Sequence, residues 1–347
     1  MGTLILCFHR INYGERITPE EFEAILQILI EERFKPIRLK DAFGYLKRGE
    51  SPPKKTVHIT FDDGYSDNYL FAYPILKKYQ FYATIFVIAN KVANGIKRAT
   101  YDELMGMNIA DQLKSLEAKS RYVSWQELKT MVDSGIFEVG SHSLNHRACF
   151  SSNRVHKFND GDGYEWFFEL TNDRRLGVPI YEKRWECATL CMKDDIALRD
   201  HMAEFVKERG GILFMNKPNA QKLLHREFKR YLKRHKPNFV YEDKKEKLKR
   251  VEREVKESKK LIEENLGAKI DFFCYPWGDY DVDVIYELQK NNYKAGFTLN
   301  VGLLEKSSYP YLLPRVEVRS EKWLKKRLKI YGKSSMARIY SKIHRAL

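Results

Sequence analysis

Short apolar runs alternate with amphipathic helical stretches in the first half of this chain. That alternation constrains the fold more than any other feature. Thr3–His9 (TLILCFH), Thr56–Phe61 (TVHITF) and Tyr82–Ala89 (YATIFVIA) read as buried strands. A helix opens at Thr18-Pro19-Glu20-Glu21, with Thr as N-cap, Pro at the first helical position and acids in the first turn. Phe22, Ile25, Leu26, Leu29 and Ile30 then keep the helical period. Tyr69–Tyr79 reads as a second helix and Phe137–Gly140 as another strand end. Strand, helix, strand, helix predicts an α/β fold with a parallel sheet. Residues 147–243 break the rhythm with Arg, Lys, aromatics and GDG and RGG turns, so an insertion or small subdomain is expected there. Glu242–Leu266 is densely charged, with a thin stripe of Leu248, Val251, Val255, Leu261 and Ile262 before Gly267, and predicts a solvated surface helix. The strand–helix–strand rhythm returns at Asp271–Tyr275, Val282–Lys290 and Tyr293–Leu299.

The chain has 347 residues, 43% of them hydrophobic, and a net charge of +15. Such a composition excludes overall disorder. No apolar stretch approaches the ~20 residues of a membrane-spanning helix. The N-terminus, MGTLILCFHRINYG, lacks a basic n-region and a small-residue cleavage site, so no signal peptide is expected. Cys7, Cys149, Cys187, Cys191 and Cys274 are odd in number and scattered, which predicts no disulfide framework and a reducing compartment. Cys187 and Cys191 lack the second pair that a zinc ribbon needs. The basic excess points to anionic surroundings without choosing among them. Residues 321–347 form a basic, amphipathic tail that fits either an anionic membrane or a helix packed on the main fold. No nucleic-acid motif accompanies the charge, so nucleic acid is not an expected partner.

Three segments carry chemistry, and each follows an expected strand. Thr60-Phe61-Asp62-Asp63-Gly64 places two acids at the end of a buried strand, a costly position unless they are paired or metal-bound. Strand ends of parallel α/β folds are where sites are built. His142-Ser143-Leu144-Asn145-His146 offers two imidazoles that can share one metal. With Asp63 they make two histidines and one carboxylate, a catalytic rather than a structural ligand set. Cys274-Tyr275-Pro276-Trp277-Gly278 reads as a rigid turn whose N–H groups can face an oxyanion.

Together TFDDG, HSLNH and YPWG resemble the polysaccharide deacetylases of the NodB-homology type, carbohydrate esterase family 4. The resemblance covers about 1–146 and 244–320. It implies a distorted (β/α) barrel, here spanning 1–320 with the long insertion at 147–243. It also implies a divalent metal, most often zinc with cobalt or nickel as alternatives, and hydrolysis of the N-acetyl group of a hexosamine. By the same resemblance Asp62 is the general base, Asp63, His142 and His146 hold the metal, and the Trp277 N–H donates to the oxyanion. Two departures stand out. Cys274 occupies the place of the family's base-orienting Arg, and the C-terminal strand, Leu313-Pro314-Arg315-Val316, lacks the family's Leu-x-His acid. A subset that includes the poly-N-acetylglucosamine deacetylases carries a His after the first strand, and Phe8-His9-Arg10 matches it. His9 is therefore expected as the general acid and Arg315 as the partner of Asp62. The expected substrate is an N-acetylated glycan or lipid-linked saccharide of cell-surface polysaccharide or lipopolysaccharide biosynthesis. The expected location is the cytoplasm, with peripheral contact at the inner face of the membrane. An O-deacetylase, a hydrolase of other non-peptide C–N bonds, and a non-catalytic glycan- or membrane-binding barrel are the competing readings.

Overall fold

The apolar runs become strands that are buried along their length, as a parallel sheet covered by helices requires. In the computed structural model, residues 2–95, 97–105, 121–162, 164–331 and 336 are described. The chain divides into two compact units. The first comprises Met1–Asn145, Arg253–Gly278 and Ile285–Leu347, and the second His146–Glu252 and Asp279–Val284.

The first unit begins with β1 (Gly2–Phe8), β2 (Lys35–Pro36), β3 (Thr56–Phe61), β4 (Ala83–Val87) and β5 (Phe137–Ser141). The second unit supplies β6 (Ala148–Phe158), β7 (Pro179–Trp185), β8 (Met192–Lys193) and β9 (Val240–Tyr241). The first unit resumes with β10 (Phe272–Cys274), β11 (Ala295–Phe297), β12 (Leu304–Glu305) and β13 (Val316–Glu317). Its strands run β11-β10-β5-β4-β3-β1, parallel throughout, with β12 antiparallel to β1. β13 pairs in parallel with β1 at Leu6↔Val316, and Leu313 bridges Phe297 at the far edge of the sheet. The sheet therefore curls back on itself as a distorted (β/α) barrel.

Local signals explain the helices. Thr18 and Glu21 form a reciprocal capping box at 3.2 and 3.3 Å, which starts the helix Pro19–Glu31. The segment expected as one helix over Tyr69–Tyr79 divides into a π-turn, Asn68–Ala72, and an α-helix, Tyr73–Tyr79. The charged helix Lys244–Leu266 departs from a solvated one. Val251, Glu254, Val255, Ser258 and Ile262 are all fully buried. The thin stripe suffices for packing because its polar members are bonded: Ser141 of β5 donates to Ser258 at 2.9 Å. Of the basic tail, the helix Glu321–Tyr331 buries Leu324, Leu328 and Tyr331 and packs against Pro19–Glu31. The rest of the tail, apart from Met336, lies outside the described residues.

The second unit is an antiparallel sheet in the order β7-β6-β8-β9, with the helices Ile196–Lys207 and Ala220–Arg234. Phe150, Phe158, Phe167, Tyr181, Met202 and Leu224 form its own core. Cys149 and Cys191 are joined in a disulfide, which corrects the expectation of unpaired cysteines. Pairing of Phe150 with Met192 across β6 and β8 brings the two cysteines together, and that contact is not visible in their spacing.

One buried titratable group sets an acid limit on the first unit. His58 on β3 is fully enclosed, its Nδ1 at 2.8 Å from the Ile37 carbonyl and its Nε2 at 2.9 Å from the Thr84 hydroxyl. Burial pushes its pKa down to about 4, against a smaller opposing pull from the Ile37 carbonyl. Between the ordinary value of 6.5 and about 4, the unfolded chain binds this proton and the folded chain does not. Stability is therefore lost as pH falls through that window. Wild type is expected to lose up to roughly 3 kcal/mol relative to His58→Gln between its two ends. Thermal denaturation of both proteins across this range checks it; parallel curves would refute it.

Candidate active site

The predicted residues stand at the C-terminal ends of neighbouring parallel strands. Asp62 and Asp63 follow β3, His142 follows β5, His9 follows β1 and the Pro276-Trp277-Gly278 turn follows β10. The ladder still holds Asp62, whose N–H donates to the Phe8 carbonyl at 3.0 Å. The chain then leaves the sheet through two consecutive left-handed residues, Asp63 at φ +70° and Gly64 at φ +78°. A Cβ at Gly64 would stand 3.0 Å from Val87, so both its conformation and the close approach favour glycine. This turn lets adjacent acids serve different partners.

Asp62 faces Arg315. Its two oxygens accept from the two terminal nitrogens of Arg315, each at 2.7 Å. Burial would raise the Asp62 pKa, but the Arg315 guanidinium, with His142 and His9 adding to it, holds the carboxyl well below the usual range. Asp62 is ionised at neutral pH. Cys274, in the place of the family's Arg, lies 3.5 Å from Asp62 Oδ2 and accepts from Arg315 at 2.9 Å. Burial pushes its thiol up, so it keeps its proton.

Asp63, His142 and His146 bring one ligand atom each within 4.8 Å of one another. His142 Nε2 is 3.5 Å from Asp63 Oδ1. Its Nδ1 is 2.9 Å from the Cys274 carbonyl, which fixes the tautomer and aims Nε2 at the group. Burial pushes the His142 pKa down despite Asp62 and Asp63, which keeps the imidazole neutral as a ligand must be. The donor set fits a divalent cation of the zinc type. A second group, Asp62, His142 and Cys274, also converges, but Arg315 already occupies the Asp62 oxygens and the Cys274 sulfur.

A cavity of about 390 Å³ has Asp63 in its wall. His9, Arg10, Arg16, Asp63, Tyr65 and Glu317 are among its walls. Trp277 adopts a left-handed conformation, φ +53° and ψ 12°, in a turn where the Gly278 N–H donates to the Tyr275 carbonyl at 2.8 Å. That turn starts two residues beyond Cys274, whose carbonyl orients His142.

The sequence profile of the polysaccharide deacetylases matches residues 49–163 and 229–296, more than half of the chain. The chain belongs to this family. YxkH of Bacillus subtilis (strain 168), which bears a polysaccharide deacetylase name, is 32% identical over 144 residues, 41% of this chain and 42% of that protein. The poly-β-1,6-N-acetyl-D-glucosamine N-deacetylase of Staphylococcus aureus (strain MSSA476) is 31% identical over 132 residues, 38% of each. The matches thus span less than half the length of these curated relatives. The solved structure of IcaB from Ammonifex degensii shares the fold, with a TM-score of 0.54 at 20% identity, covering 94% of this chain and 95% of that one.

One residue of this candidate site escapes a reading of motifs. Glu254, fully buried on the helix Lys244–Leu266, accepts from the Asn145 N–H at 2.9 Å and from Asn145 Nδ2 at 2.5 Å. Asn145 lies between the two histidines, so Glu254 pins the loop that sets their spacing. A Glu at a stripe position of a charged helix was the only signal available. Glu254→Ala is expected to weaken metal binding about tenfold or more, the usual size of an outer-shell loss. Competition with a zinc chelator measures it; unchanged affinity removes Glu254 from the site.

Proposed function

We propose that this chain is a metal-dependent hydrolase that removes the N-acetyl group from N-acetylhexosamine units of a cell-surface glycan. The observation that carries the reading is the divergence of Asp62 and Asp63. One acid is held ionised by Arg315, while its neighbour converges with two histidines and also lines a cavity together with His9. Asp63, His142 and His146 would hold the metal, with zinc favoured by the donor set. Bound there, it would polarise the amide carbonyl and make water more acidic.

The chain's own groups supply the rest. Asp62 accepts the proton of the attacking water while Arg315 holds its carboxylate in place. The Trp277 N–H donates to the developing oxyanion. Protonated His9 donates to the amine nitrogen as the C–N bond breaks. Water oxygen ends in acetate, and the sugar leaves with a free amine.

The test uses acetylated hexosamine oligosaccharides with a free-amine assay beside an acetate assay, so that loss of an O-acetyl group is told apart. Asp62→Asn is expected to keep the metal by elemental analysis and lose ~10²-fold or more in turnover. Asp63→Ala and His142→Ala are expected to lose both. Loss of metal from Asp62→Asn would sink the base assignment.

The Cys149–Cys191 pairing supports an oxidising compartment in place of the cytoplasm. Alkylation in intact cells followed by mass spectrometry is expected to find both cysteines protected; alkylation of both would return the chain to a reducing compartment. Membrane contact through the tail is not carried forward, because its described helix turns Leu324, Leu328 and Tyr331 into protein.

A further inference from the structure

His9 is the first residue beyond β1, and the strand pairing ends one residue earlier, at Phe8↔Phe61. The sheet ladder therefore does not fix it. Two consecutive side chains from another element do. Asp67 and Asn68, at the start of the π-turn Asn68–Ala72, are 1% and 0% exposed. Asn68 Nδ2 donates to the His9 carbonyl at 2.9 Å and to Asp67 Oδ1 at 3.1 Å. Asp67 Oδ2 accepts from Arg10 Nε at 2.7 Å, and Asp67 Oδ1 accepts from the Ile11 N–H at 3.4 Å. Residues 9, 10 and 11 are thus each bonded by this pair. Arg10 is held further by Glu15 and lies 5.1 Å over the Tyr65 ring.

The clamp is a poor device for stability. Among the described residues, Asn68 Oδ1 is buried without a hydrogen-bond partner. An orphaned polar atom destabilises the fold, and an apolar residue of similar shape would not carry that cost. Burial pushes the Asp67 carboxyl up to about 6, outweighing Arg10. Groups that weaken the fold while fixing one loop, and π-turns themselves, concentrate at functional sites. The loop fixed here lines the catalytic cavity.

We propose that Asp67 and Asn68 are positioning residues that lock the backbone of His9 so that its imidazole reaches the leaving amine. The proposal rests on reading His9 as the general acid. The two can be separated by a double-mutant cycle on the full chain with bound metal. Asn68→Leu removes both donated bonds and the orphaned oxygen together. It is expected to keep the wild-type Tm and metal content, to lower kcat about tenfold or more, and to leave KM near wild type. His9→Ala alone is expected to lower kcat about a hundredfold. In the His9→Ala background, Asn68→Leu is expected to add nothing further.

An equal fall in both backgrounds, or unchanged kcat in Asn68→Leu, overturns the proposal while leaving the acid assignment intact. Unchanged kcat in His9→Ala overturns the acid assignment, and the proposal with it. If Asn68→Leu does not fold, Asp67→Asn takes its place in the same cycle. It keeps the size of the side chain and drops the charge that holds Arg10.

Discussion

Asp62 and Arg315 lie 253 residues apart in the chain and meet through two bonds of 2.7 Å, almost wholly out of water. Each buried charge costs several kcal/mol of desolvation, which is recovered only where the geometry is good and every other polar atom is satisfied. Arg315 meets that condition. Its five N–H donors reach the Thr298 carbonyl, the Thr60 hydroxyl, both Asp62 oxygens and the Cys274 sulfur. Removing either partner alone would leave an unpaired buried charge, a loss of about 3–5 kcal/mol. Arg315 sits between Leu313, which bridges Phe297, and Val316, which pairs with Leu6. Closing the barrel and completing the ion pair are therefore one event, and the ionised state of Asp62 depends on both.

Around that pair, strand ends carry unusual backbone. Asp63, Ser143, His146 and Trp277 are all left-handed without being glycine. Such residues cost of order 1–3 kcal/mol each and persist where the surroundings over-determine them. Here Glu254 grips Asn145, the Cys274 carbonyl grips His142, and the N–H groups of Ala89 and Asn90 donate to the Ser143 and Leu144 carbonyls at 3.1 and 3.0 Å. The rigidity this provides suits a group of three donor side chains, Asp63, His142 and His146, that converge within 4.8 Å.

Much of the barrel was legible because its signals are local. A buried parallel strand needs an unbroken apolar run, and each such run became a strand to within a residue or two. Asp62-Asp63-Gly64 announced a turn because glycine tolerates the left-handed conformation that the strand end requires. Glu254 was not legible as a site residue, nor Ser258 as a buried one. Their neighbours on the helix are Lys, Arg and Glu, and charge density hides a buried face that holds only a few apolar positions. The disulfide was hidden for a similar reason, since an antiparallel contact between β6 and β8 sets the distance between Cys149 and Cys191.

By itself the sequence determined the alternating α/β order, the strand-end placement of Asp62, Asp63, His142 and His9, and the family to which their spacing belongs. Each of these follows from residues close together in the chain, where apolar period and turn chemistry act directly. The sequence offered Arg315 as the partner of Asp62, and the tertiary structure decided that pairing; it alone decided that Glu254 steadies the histidine loop and that Asn68 holds the His9 carbonyl. Those pairings join segments 59 to 253 residues apart. Such distances are set by how the barrel closes, and closure is a property of the packed sheet rather than of any local run of residues.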